Sequence, residues 1–298
     1  MTLPRLALAV IGDEIGPSLD EMISFCTEHD VRRLDMRTVE GKNLLGMTIE
    51  EGGEIARRIE QAGLTVPTFV SPLLKWPAPG REAAQGNVDF AFRPADCPAD
   101  DPLVHAFDIA TVLGAERIRV FSHLRYPGYK PADLISRFER LADLSLTYSV
   151  AVEIENEPVC NVGSIAELAD LFTALMEAVG ASPMPTGQLR PLIDIGNAWS
   201  IGKPPTDAEI AQLGPLVDLI HLKDRDTSAK RTVPLGDGDI PWAAELTRLL
   251  TETTKARKPL KEIHASIETH CPQDGRNATA RSVAGLRRIA AEIGVEVD

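Results

Sequence analysis

Residues 150–157 read VAVEIENE, and the fold follows from how that stretch is interpreted. Val150, Val152 and Ile154 alternate with Ala151, Glu153 and Glu155, the period of two that a β-strand imposes. The strand ends in acids rather than in a turn of small residues. Outward from it the pattern repeats: 191–197 is PLIDIGN, 217–224 is VDLIHLKD and 263–270 is IHASIETH, each an apolar run closing on ionisable side chains.

Strand candidates recur along the chain at Arg5–Ile11, Val31–Arg37, Leu64–Val70, Glu116–Phe121, Val150–Asn156, Pro191–Ile195, Val217–Lys223 and Ile263–Thr269. Amphipathic stretches beginning near Ser18, Thr48, Asp100, Pro131, Ser164, Thr206, Pro241 and Ala278 separate them, mostly at residues suited to a first helical turn. Strand and helix patterns in alternation signal βαβ units and a parallel sheet. Eight units in 298 residues average roughly 37 each, which predicts one closed (β/α)8 TIM barrel over residues 1–298 rather than an open doubly wound sheet. No GxGxxG follows the first strand, which removes the usual mark of a dinucleotide site. The longest connection, Ser71–Ala99, is rich in proline and glycine. Its position after strand three predicts a lid over the mouth, with Trp76, Phe90 or Phe92 as an apolar wall and Lys75 as a polar contact.

The net charge of −13 would repel a phosphate backbone, so nucleic acid is not an expected partner. Cys26, Cys97, Cys160 and Cys271 form neither a CxxC pair nor a dense disulfide pattern, as in reduced cytoplasmic proteins. No run approaches the roughly 18 apolar residues of a membrane helix, and the first residues read as a strand rather than a signal peptide. The expectation is a cytoplasmic protein with no membrane or nucleic-acid partner; assembly into a homo-oligomer is left open.

In such a barrel the C-terminal strand ends converge on one mouth. Glu155, Asp194, His221 and Glu268 close four consecutive strand candidates. Strand interiors disfavour Asp and Glu, and carboxylates gathered in a partly desolvated mouth repel one another. A shared divalent cation removes the conflict, and an oxygen-rich set with one imidazole favours Mn2+, with Mg2+ and Co2+ as alternatives. Glu153 lies one layer below Glu155 and is expected against a basic group such as Arg119. Arg37, Lys75, His123, Lys223 and His270 fall at or beyond strand ends, where they can bind substrate hydroxyls or an acid group. His29, His105 and His264 fall elsewhere.

These segments resemble the xylose isomerase-like family of sugar isomerases and epimerases. The resemblance rests on Glu155-Asn156, Asp194 with Asn197, His221-Leu222-Lys223-Asp224, Gly236-Asp237-Gly238 with Trp242, and Glu268. The segments around Arg37, Gly41, Asn43 and Lys75 resemble a subgroup described as sugar phosphate isomerase/epimerase-like. The resemblance implies a metal-dependent enzyme acting on a sugar or sugar-like polyol through an enediolate. Glu155 and Glu268 would then be an acid/base pair on opposite faces of the substrate, and Asn156 and Asn197 would be polar contacts. A dehydratase or lyase acting on a keto-sugar or cyclitol, and a non-catalytic sugar-binding barrel, remain as alternatives. The apurinic endonuclease branch is disfavoured by Asn197, where that branch places a histidine, and by the acidic charge.

Overall fold

The computed structural model describes residues 2–84, 92–181 and 188–298. Eight parallel strands form the barrel: β1 (Arg5–Ile11), β2 (Arg33–Asp35), β3 (Thr68–Phe69), β4 (Arg117–Val120), β5 (Ala151–Glu155), β6 (Leu189–Asp194), β7 (Leu219–Leu222) and β8 (Glu262–Ile267). Their order is β2-β1-β8-β7-β6-β5-β4-β3. Isolated parallel bridges Arg33–Thr65 and Met36–Phe69 join β2 to β3 and close the ring.

Helices follow the strands: α1 (Leu19–Glu28), α2 (Ile49–Gln61), α3 (Pro102–Leu113), α4 (Ile135–Tyr148), α5 (Ile165–Ala181), α6 (Ile195–Ser200), α7 (Asp207–Leu213), α8 (Trp242–Thr253) and α9 (Gly275–Glu292). Capping boxes start four of them, Ser18 with Glu21, Thr48 with Glu51, Ser164 with Glu167 and Thr206 with Glu209, each satisfying backbone donors that a first turn leaves free. Helix α3 begins with Asp101 capping and Pro102, and stops at Gly114, whose φ of 71° suits the left-handed cap. Short α6 was not expected; it starts on Asp194 itself, whose side chain accepts from the Asn197 amide.

Alternation along each strand separates two environments. Val152 and Ile154 of β5, Ile220 and Leu222 of β7 and Ile263, Ala265 and Ile267 of β8 belong to the apolar layer shared with the helices. Their neighbours Glu153, Glu155, His221, His264, Ser266 and Glu268 are buried on the other side, inside the ring. The interior of this barrel is therefore polar in its upper half, where aliphatic layers are the usual filling. Register places Ser266 beside His221 and Asp194 beside His221, bringing three strand ends to one level.

Two expected strands are shorter than their apolar runs. β2 covers Arg33–Asp35 and β3 only Thr68–Phe69, because Pro67 and Pro72 bracket the third and a small hairpin, Thr38–Val39 with Lys42–Asn43, takes up the chain after the second.

Candidate metal centre and its surroundings

Glu155, Asp194, His221 and Glu268 are all buried, and one ligand atom from each lies within 4.8 Å of the others. The four side chains singled out in the sequence stand together. Each member is held from several directions. Glu155 Oε2 accepts from Arg119 Nη1 at 2.8 Å, while its Oε1 lies 3.3 Å from His221 Nδ1 and 3.4 Å from Asn197 Nδ2. Glu268 Oε1 accepts from Arg37 Nη1 at 3.2 Å, and its Oε2 from Lys223 Nζ at 2.5 Å. His221 Nδ1 stands 3.5 Å from Glu268 Oε2. Asp194 Oδ1 accepts from the Asn197 amide at 2.7 Å, whereas Oδ2 faces Lys223 Nζ at 2.8 Å with no hydrogen bond of good geometry.

The charges are strongly coupled. Burial alone would raise the Glu155 carboxyl, but His221 and Arg119 hold it down at about 2. Glu268 is likewise held well below the usual range against burial, by Lys223, His270 and His221. Burial lifts Asp194 to about 6 despite the pull of Lys223. Burial would depress the imidazole of His221, yet Glu155 and Glu268 hold it up at about 9. Three carboxylates thus stay ionised at neutral pH because cationic side chains face them, and their oxygens with one imidazole form a donor set that suits an oxygen-seeking divalent ion. The oxygen Asp194 Oδ2, buried without a hydrogen bond, and the absence of thiolates from the set fit such an ion.

Beside Glu268 opens a cavity of about 740 Å3, lined by Asp13, Glu14, Arg37, His270 and residues of the β2 hairpin among others. Arg37 bridges Asp13 at 2.9 Å, Glu14 at 2.7 Å and Glu268, and His270 Nε2 lies 3.2 Å from Glu268 Oε1. His270 sits in left-handed backbone, φ 47°, as the chain turns out of β8. Glu14 ties this rim together, accepting from Thr269 Oγ1 and the His270 amide. A side chain at Gly275 would meet the Glu14 carbonyl at 2.2 Å, so only glycine lets α9 pack there. Asp13 and Glu14 were not singled out from the sequence, although an acidic pair directly after an apolar strand is the same signal that marks β5 and β8.

Other expected contacts fall differently. Asn156 is fully buried and its amide is used by the Asp194 backbone at both ends, 2.9 Å each. These bonds brace β5 against β6 beside the Asp194 carboxylate. Asn197 joins Glu155, the Asn156 carbonyl and Lys223. Glu153 does not meet Arg119, which is committed to Glu155 and to the carbonyls of Ser71 and Val70. Neither Glu153 oxygen has a hydrogen-bond partner; burial pushes its carboxyl up to about 7, with Arg117 and Arg190 offsetting only part.

His123 is buried away from the four ligands, its Nδ1 bonded to the Trp76 carbonyl, and lines a separate cavity of about 260 Å3 with Arg81, Tyr126 and Arg137. Lys75 is buried against Glu157 at 3.0 Å and over the Phe121 ring. The loop expected as a lid is stitched to the segment after β4 in its first half, through Phe121 to Leu73, Leu124 to Trp76 and Ala84 to Arg125. Trp76 and Phe92 pack together with ring centroids 6.1 Å apart, and Phe90 lies outside the described residues. Asp224 of the His-x-Lys-Asp segment accepts from the amides of Arg225, Gly236, Gly238 and Ile240. It organises the Gly-x-Gly turn, so both motifs are parts of one loop support.

Residues 29–289 match the model of the xylose isomerase-like TIM barrel family. The chain belongs to that family. Among solved structures similar to this family member is an IOLI protein with a bound zinc atom, at 12% identity and TM-score 0.69, covering 96% of this chain and 99% of that one. Another is D-allulose 3-epimerase from Methylomonas sp., at 13% identity and TM-score 0.64, covering 97% and 100%. A third is the probable 3-DHS dehydratase AsbF from Bacillus anthracis, at 15% identity and TM-score 0.63, covering 95% and 98%. At these identities the likeness is one of fold. No curated protein matches the sequence. Among the described residues no helix is long and apolar enough to cross a membrane.

Proposed function

We propose that this barrel is a divalent-metal-dependent isomerase or epimerase of a sugar or sugar-like polyol. The observation that carries the reading is the convergence of four buried ligand atoms within 4.8 Å at the C-terminal strand ends; the cavity is lined by none of the four and meets Glu268 through Arg37 and His270. Glu155, Asp194, His221 and Glu268 would hold the ion, with Mn2+ as the first choice. When bound, the ion supplies Lewis acidity toward adjacent substrate oxygens, which makes the neighbouring C–H more acidic.

The chain's own residues then divide the work. Glu155 and Glu268 end β5 and β8, with β6 and β7 between them. From these places their carboxylates approach one carbon from different sides, one accepting a proton and the other returning it. Arg119 and Asn197 hold Glu155 in place, while Arg37 and His270 do so for Glu268. Arg37 and His270 also line the cavity, which supports a role for them in taking substrate hydroxyls. Burial of the acids keeps water away from the proton being moved. A dehydratase or lyase would share the first proton abstraction, and no feature of the described residues favours it over isomerisation.

Incubation of the Mn2+-loaded protein with candidate ketoses in deuterated water tests the reading. Solvent deuterium is expected in the carbon next to the carbonyl of a converted ketose. Conversion without exchange, or a transferred substrate hydride, would contradict it.

A further inference from the structure

Arg37, Arg119, His221, Lys223 and His270 face the buried carboxylates. The two arginines are also held outside the cluster, Arg119 by the carbonyls of Ser71 and Val70 and Arg37 by Asp13 and Glu14. Lys223 differs from the arginines. Its Nζ lies 2.5 Å from Glu268 Oε2, 2.8 Å from Asp194 Oδ2 and 3.2 Å from Asn197 Oδ1, and all its polar contacts end in the site. The residue is only 2% exposed.

We infer that Lys223 is a built-in counter-cation, seated between Asp194 and Glu268 while no metal is bound and obliged to leave when the metal enters. The inference rests on reading the four residues as a metal site. An ion coordinated by the same two oxygens at roughly 2.1 Å would stand close to the ammonium, two positive charges sharing one bridge in a dry medium. Both cannot occupy it. The protein has shaped a place for the lysine stem: a side chain at Gly196, the second residue of α6, would meet Lys223 Cγ at 2.2 Å. The stem and carbonyl of Lys223 therefore pack directly on the start of α6, where only glycine leaves room for them. Once released, the ammonium becomes a hydrogen-bond donor available to a substrate, so loading the metal also prepares the substrate site.

The opposing possibility is that Lys223 is a fixed brace that orients Asp194 and Glu268 for the ion. The two readings differ in sign. If the lysine competes, Lys223→Met should bind Co2+ or Mn2+ at least tenfold more tightly than the natural chain, followed by calorimetry and the Co2+ visible spectrum. A brace predicts equal or weaker binding, and that result would overturn the inference. The natural protein gives an independent readout should the variant fail to fold without metal. Reductive methylation of Lys223, mapped by mass spectrometry, should be slow in chelator and rapid after Co2+ loading; protection in both states would contradict release. If neither protein takes up metal, the reading of the site falls together with this inference. If the natural chain binds metal while affinity does not rise and the lysine stays protected, only the inference falls.

Discussion

Arg119 Nη1 donates to Glu155 Oε2 at 2.8 Å, and each side chain is 1% exposed. The arginine lies on β4 level with Glu153, two residues before the acid on β5, so the pair spans two levels of the barrel interior. Breaking a buried pair by removing one partner typically costs about 3–5 kcal/mol, because the remaining charge is stranded. Arg119→Met should therefore lower the unfolding free energy of chelated protein by that order in urea titrations. Saturating Mn2+ should restore a good part of it, since the ion takes over the charge of Glu155. Equal losses with and without metal would argue against Glu155 as a ligand.

Glu153 offers a test that does not involve the metal. Its carboxyl is raised by burial to about 7 in the folded chain, against 4.5 as the ordinary value. Between those pH values the folded state holds the extra proton, so stability falls as pH rises from 4.5 toward 7 and stays reduced above. The loss is about 3 kcal/mol at most. Glu153→Leu should remove this dependence, and its stability relative to the natural chain should improve by that order between pH 4.5 and pH 8. A pH-independent difference would show that the acid is paired.

His221 is held up at about 9 by Glu155 and Glu268, so at pH 7 it carries a proton that a metal ion has to displace. Titration calorimetry in buffers of different ionisation enthalpy should report release of about one proton per ion at pH 7. Affinity should then rise about tenfold per pH unit between pH 6 and pH 8. Uptake with no proton release would remove His221 from the ligand set.

The proton-transfer role separates from the ligand role in one substitution. Glu268→Gln keeps a coordinating oxygen but cannot accept a proton, so metal content should be largely retained while turnover falls by about a hundredfold or more. Near-normal turnover with metal bound would assign the chemistry elsewhere.

Much of this was legible in the chain itself. Period-two runs closing on Glu155, Asp194, His221 and Glu268 marked both the barrel and its cluster, because apolar alternation and polar strand ends are local properties. Allegiances were not legible. Arg119 is level with Glu153 in register yet reaches up to Glu155, since a long side chain reaches the next level of the barrel and two backbone carbonyls aim it there. Asn156 reads as a site residue by position, but its amide is consumed in holding Asp194. Helix α6 was hidden because six residues containing a glycine carry no helical period, and its start depends on the Asp194 side chain as cap. Asp13 and Glu14 gained their meaning only when closure of the barrel brought Arg37 and His270 beside them.

A crystal of the Mn2+-loaded protein, measured for anomalous scattering at the manganese edge, should show one strong peak per chain, bounded by Glu155, Asp194, His221 and Glu268, and Asp194→Asn should weaken it without unfolding the barrel. A peak elsewhere, or none after reconstitution with Mn2+, Co2+ and Mg2+ in turn, would contradict the proposed function.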